Sequence, residues 1–213
     1  SGGAEDTFDG MGDDIPIGAT VFEVRMGGVD AGTYVEVADL VITSPVGTRP
    51  DGAAMVFAQS PAGGKYSAIT LVFDDPSAAA ELTIGTRVTV VGHVGERYVF
   101  TAIFVDPYGV TLEGGAIVPP PVVLQPMDLE PGSETATAYE SALVRVLNPE
   151  VDEPDSCIGE FTLDVGVGVD DLFLGADAPN PAAGDEFSAV TGPLRYTYNG
   201  FEIAPRTLAD VEP

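Results

Sequence analysis

The stretch Ile84–Val105, IGTRVTVVGHVGERYVFTAIFV, decides the reading of this chain, because a looser copy returns near the other end. That copy is Ala183–Pro205, AGDEFSAVTGPLRYTYNGFEIAP. Each opens at a glycine (Gly85, Gly184) and runs through an apolar, strand-like segment to a second glycine (Gly92, Gly192). Each then continues into an aromatic-rich strand. Upstream, VEVADLVITSPV at Val35–Val46 is echoed by SALVRVLNPEV at Ser141–Val151. Two features recurring in the same order describe one small β module present twice.

Working outward from the first copy, a strand begins at Thr33. Its inward set changes parity, from Val35 and Val37 to Leu40 and Ile42, as a β-bulge or sharp bend requires in a strand that closes a small barrel. Ala19–Met26 reads as one helical turn or a short strand. Ala54–Gln59 and Tyr66–Phe73 are the next strands, joined by the glycine-containing loop SPAGGK. Asp74–Leu82 predicts a short helix, with Asp75 as cap and Pro76 in its first turn. Arg87–Val91 and Tyr98–Val105 follow, with GHVGE (Gly92–Glu96) as the bend or turn between them.

The second copy predicts strands at Ala142–Leu147, Gly159–Val165, Val167–Phe173, Phe187–Thr191, Leu194–Tyr198 and Phe201–Ile203. The loop Leu174–Gly184 stands where the first copy has its helix. Asn199-Gly200 is the strongest hairpin signal in the chain. Between the copies, Pro119, Pro120 and Pro121 stiffen a spacer. The expected organisation is an acidic N-terminal arm at 1–18, a first barrel at 19–116, a Pro-rich linker at 117–133 and a second barrel at 134–213. The expected fold is all-β: two small OB-like five-stranded Greek-key barrels in tandem.

The charge is one-sided. Among 213 residues, 34 Asp and Glu face 8 Lys and Arg, a net charge of −26. Neutralising phosphates takes Lys and Arg, so nucleic acid is an unlikely partner, and docking on anionic lipid is disfavoured as well. Cys157 is the sole cysteine, which excludes an internal disulfide. No apolar run approaches the ~20 residues of a membrane-spanning helix.

Two stretches carry a family resemblance. TVFEVRMGGVDAGTYVEVADLVITS resembles the opening of OB-like domains found beside secreted bacterial nucleases and in bacterial surface lipoproteins. YESALVRV, with the tail NGFEIAPRTLADVEP, resembles the closing module of the same group. The resemblance covers most of Ala19–Pro213. It implies tandem OB-like barrels, an extracellular or outer-surface location, and a structural Arg206 that neutralises a carboxylate near Asp210. The opening SGGAEDTFDGMGDDIPIG resembles the tether behind the lipidated residue of a surface lipoprotein, with Ser1 in that residue's place.

Candidate sites are few. His93 is the only histidine, so neither a histidine-based triad nor a two-histidine metal site exists within one chain. There is no phosphate-binding GKS/T loop and no GxSxG elbow. Two acidic patches offer oxygen ligands of the kind Ca²⁺ prefers: Asp6, Asp9, Asp13 and Asp14, and Asp152, Glu153 and Asp155. Neither has calcium-loop spacing. The alternating aromatics read either as barrel core or as a stacking platform. If a ligand surface exists, it is expected at Tyr98, Tyr196, Tyr198 and Phe201. The expected function is a non-catalytic binding or assembly protein for a protein or glycan at the cell exterior. The alternatives are a self-assembling subunit of a surface layer or filament, and an accessory domain of a secreted nuclease system.

Overall fold

The computed structural model describes residues 15–97, 100–130, 132–154, 160–197 and 200–213. The first module starts with β1 (Ile17–Ala19) and α1 (Val21–Arg25). Thr20 and Glu23 form a reciprocal capping box that starts α1: the Glu23 amide donates to Thr20 Oγ1 at 3.2 Å, and the Thr20 amide to Glu23 Oε2 at 2.8 Å. The following strands are β2 (Tyr34–Ile42), β3 (Gly47–Thr48), β4 (Ala54–Gln59), β5 (Ala68–Phe73), β6 (Thr86–Arg97) and β7 (Phe100–Gly115). β2 pairs with β4 and β6, β4 with β5, β5 in parallel with β7, and β7 with β6. This cycle closes a five-stranded barrel with OB connectivity.

The parity switch in β2 is a bulge: the register against β6 shifts between Val37 and Leu40, and Asp39 takes φ 59°. All four residues that signalled it, Val35, Val37, Leu40 and Ile42, are fully buried. The short helix is a single 3₁₀ turn, Pro76–Ala79. It lies between the third and fourth barrel strands and is capped by Asp75 Oδ1, which accepts from the Ser77 amide.

GHVGE is not a turn. It lies inside β6, paired with β7 from Gly92↔Val105 to Glu96↔Thr101. Its glycine has a packing reason instead. A Cβ on Gly92 would lie 2.2 Å from the Phe104 carbonyl oxygen, so only glycine lets the strands cross there. Gly192, its counterpart, would meet the Ala204 carbonyl oxygen at 2.4 Å. The first glycines of the repeat also match, Gly85 at φ 86° and Gly184 at φ 84°.

The second module repeats the plan. β8 (Val122–Leu124) and α2 (Glu134–Tyr139) precede β9 (Leu143–Leu147), β10 (Val151–Glu153), β11 (Phe161–Leu163), β12 (Val167–Val169), β13 (Ala189–Thr197) and β14 (Gly200–Ile203); β15 (Val211–Glu212) closes on β13. β9 and β10 are one bent first strand, broken at Asn148 with φ 49°. β9 pairs with β13, β10 with β11, β11 with β12, β12 in parallel with β14, and β14 with β13. The connectivity is that of the first barrel. Gly192-Pro193 does not split β13, and Thr197 pairs with Gly200 at the hairpin.

Both modules extend beyond five strands in the same way. β1 pairs in parallel with β2, and β8 in parallel with β9. Thus the end of the arm and half of the proline segment are barrel components. Leu124 and Leu129 belong to the second core, which is why the prolines do not hold the modules apart.

The modules pack directly. Phe57 on β4 meets Phe173 edge-to-face, ring centroids 6.2 Å apart. The Leu143 amide donates to Gln59 Oε1 at 3.3 Å, the Tyr66 amide to the Ala138 carbonyl at 2.6 Å, and Thr70 Oγ1 and Ser141 Oγ are 3.0 Å apart. Arg25 of α1 reaches Glu140 Oε2 at 2.9 Å, with both side chains almost fully buried. Removal from water pushes the Glu140 carboxyl up, and Arg25 opposes this.

Candidate functional site

OB barrels present ligands on the outer face of their second and third strands. In the first barrel these are β4 and β5, and every residue of both is buried. Alternation sends Ala54, Val56, Ala58, Ile69, Leu71 and Phe73 into the core. The opposite set includes Phe57, Gln59 and Thr70, the residues that contact the second module. The β4–β5 face of the first barrel is therefore covered by the second module.

The equivalent face of the second barrel, on β11 and β12, is different. Phe161, Leu163, Val167, Val169, Phe201 and Ile203 fill the core, so Thr162, Gly168 and Glu202 point outward. Glu160 leads into β11, Asp170 leaves β12, and Glu202 sits in β14. Their carboxylate oxygens all lie within 4.8 Å of one another. Arg195, cross-strand partner of Glu202, binds Asp170 Oδ2 through Nη1 and places Nε 4.0 Å from Glu202 Oε2. Asp170 Oδ1 accepts from the Leu172 amide at 2.6 Å, and Glu202 Oε1 from Thr197 Oγ1 at 2.6 Å. Gly168 makes room, since a Cβ there would stand 2.6 Å from Glu202 Cγ.

One guanidinium serves four carboxylates, counting the neighbouring Asp171. The consequence is visible in their acidities. Burial first, then repulsion from Glu160 and Asp170, pushes the Glu202 carboxyl up to about 7, although Thr197 and Arg195 oppose the rise. Burial and neighbouring charge raise Glu160 and Asp171 too. Such a cluster stabilises a positive charge placed at its centre.

The aromatic candidates fall elsewhere. Tyr196 and Phe201 are a cross-strand pair with rings edge-to-face at 4.9 Å. Phe201 is only 4 % exposed, and both rings pack in the second core. Tyr98 and Tyr198 lie outside the described residues, as do Asp6, Asp9, Asp13, Asp14, Asp155 and Cys157. Asp152 and Glu153 are exposed on β10. His93 stacks on Tyr34 at 4.8 Å, with Nδ1 3.6 Å from Asp106, beside a recess that also touches Phe73, Asp74 and Asp75. Arg206 holds both carboxylate oxygens of Asp210 at 2.8 Å, the structural role the resemblance implies.

No family model matches the chain, and no curated protein matches it at a significant level. Among solved structures the chain is similar to one titled "Crystal structure of p204 HINb domain", at 12% identity and a TM-score of 0.29, covering 78% of this chain and 94% of that one. The barrel assignment rests on the strand pairings above. No described helix is long and apolar enough to cross a membrane.

Proposed function

We propose that this chain is a non-catalytic binding protein of the cell exterior, in which the first barrel is a mount and the second carries the ligand surface. The observation supporting this reading is the asymmetry between equivalent faces: β4–β5 is buried under the second module, while on β11–β12 Glu160, Thr162 and Gly168 stay partly exposed beside the buried Asp170 and Glu202. A face of that charge, on a chain of net charge −26, suits a protein or glycan partner and repels polyphosphate. The exterior location, with a lipid anchor at the N-terminal end, comes from the family resemblance. Capture of surface glycans or proteins by the full chain, compared with a Thr162→Arg variant that alters the centre of the face, tests the reading. Loss of capture in the variant is expected; equal capture refutes it. A gel shift with single-stranded DNA at low salt is expected to show nothing.

A second reading, self-association into a surface layer or filament, draws on β1. Among the described residues it ends the first sheet, and Ile17 within it and Ile15 just before it are 51% and 86% exposed. An unpaired strand edge with apolar neighbours is a template for another chain. Light scattering across a concentration series separates this reading from the first.

A further inference from the structure

We propose that Glu160, Asp170 and Glu202 form a binding site for a hard divalent cation of the Ca²⁺ type. The inference rests on the reading of β11–β12 as the ligand face and names what that face first takes up. The three carboxylate oxygens lie within 4.8 Å of one another. Three oxygens within that span share a point at most about 2.8 Å from each, so a small inward shift brings all three to the ~2.4 Å Ca²⁺–oxygen distance. The donors are all oxygen, which selects against the softer metals that seek imidazole or thiolate.

An independent observation points to an ion. Among the described residues only two buried side-chain atoms lack a hydrogen-bond partner, Arg25 Nε and Glu202 Oε2. The Glu202 side chain is 7% exposed, and the nearest cationic group to this oxygen, Arg195 Nε, stands 4.0 Å away, beyond hydrogen-bond reach. A buried anionic oxygen without a donor is costly unless a cation completes it. Gly168 supplies the floor of the site, because any side chain there would displace Glu202. The ligands come from three adjacent strands of one barrel, which keeps them in place before the ion arrives. Arg195 occupies part of the same space, and its side chain is 26% exposed, so it has solvent to swing into. Cation and guanidinium compete for Asp170.

The test is calorimetric titration of the full chain with CaCl₂ in ~0.15 M KCl, where screening suppresses diffuse uptake by other acids. One ion per chain is expected, with Kd of about 0.1–1 mM, the range of extracellular calcium modules. Glu202→Gln is expected to weaken binding at least ~10-fold by taking away one anionic ligand, and Glu160→Gln, at a half-buried position, gives the same direction if the first variant folds poorly. The Asp152→Asn/Glu153→Gln pair leaves binding unchanged. Arg195→Gln tightens binding, a result that a purely structural ion-pair cluster would not give. Absence of saturable binding, or binding undiminished in both glutamate variants, overturns the proposal. If Ca²⁺ fails to bind while Thr162→Arg still abolishes ligand capture, the cation inference falls and the surface reading stands. If Ca²⁺ binds while Thr162→Arg leaves capture intact, the cation site stands and the surface reading falls.

Discussion

The β4–β5 face of the first barrel and the β11–β12 face of the second occupy the same place in the same topology, yet one is dry and the other charged. On the first, Phe57, Gln59 and Thr70 are buried against Phe173, the Leu143 amide and Ser141. On the second, Glu160, Asp170 and Glu202 crowd one arginine. A repeated fold thus leaves open what its best-placed surface does. Here one copy uses that surface to hold the pair together, and the other carries a cluster of acids on it.

The largest expected effect breaks the dry face. Phe57→Ala removes a ring that is 1 % exposed and should cost about 3–5 kcal/mol. Denaturant unfolding followed by two probes should then lose its single cooperative transition as the barrels uncouple. Arg25→Ala strands Glu140 in the same interface, where an unpaired buried charge costs roughly 3–5 kcal/mol. The double change Arg25→Met/Glu140→Leu should recover most of that loss in the same measurement. If the double variant is as unstable as the single one, the ion pair is not what holds the contact.

Gly92→Ala and Gly192→Ala probe what the barrels share. Each drives a Cβ into the opposite strand's carbonyl, and each should destabilise by about 1–3 kcal/mol. A large difference between them would mean that the second glycine has another task.

The charged face should respond to pH. Because the folded Glu202 carboxyl lies near 7, above its ordinary value, the folded chain takes up a proton where the unfolded chain does not. Its contribution to stability is therefore complete below about 4.5 and lost as pH rises through about 7. Between pH 8 and 6, without divalent ions, the unfolding free energy should rise on acidification, by at most about 1.4 kcal/mol per pH unit for one proton, and the melting temperature with it. The groups that set this are Glu160, Asp170, Arg195 and Thr197, and Glu202→Gln should flatten the profile. Smallest of all, Asp152→Asn with Glu153→Gln on exposed β10 should change stability by no more than about 0.5 kcal/mol.

Much of the fold was legible because its signals are local. The parity switch from Val37 to Leu40 announced the bulge, Asp75-Pro76 announced the 3₁₀ turn, and the paired glycines announced the repeat. GHVGE misled because glycine most often marks a turn, whereas Gly92 is required by a carbonyl on the neighbouring strand. The proline run misled for a related reason. Pro119–Pro121 do stay outside regular structure, but Val122 and Leu124 had a partner strand that only the fold could supply.

The site was less legible. Alternation alone sends Glu202 outward between Phe201 and Ile203, and Gly168 outward between Val167 and Val169. Nothing in those short runs says that they become neighbours. The aromatic residues drew attention instead, and Tyr196 and Phe201 turned inward to the core.

By itself the sequence determined that this chain is a doublet of small bent-strand barrels with a strongly anionic surface, because strand parity, capping and glycine placement are properties of neighbours along the chain. Only the tertiary structure decided which barrel face is covered and which acids converge. Glu160, Asp170 and Glu202 meet through the register of β11, β12 and β14, and register across strands is set by how the whole core packs.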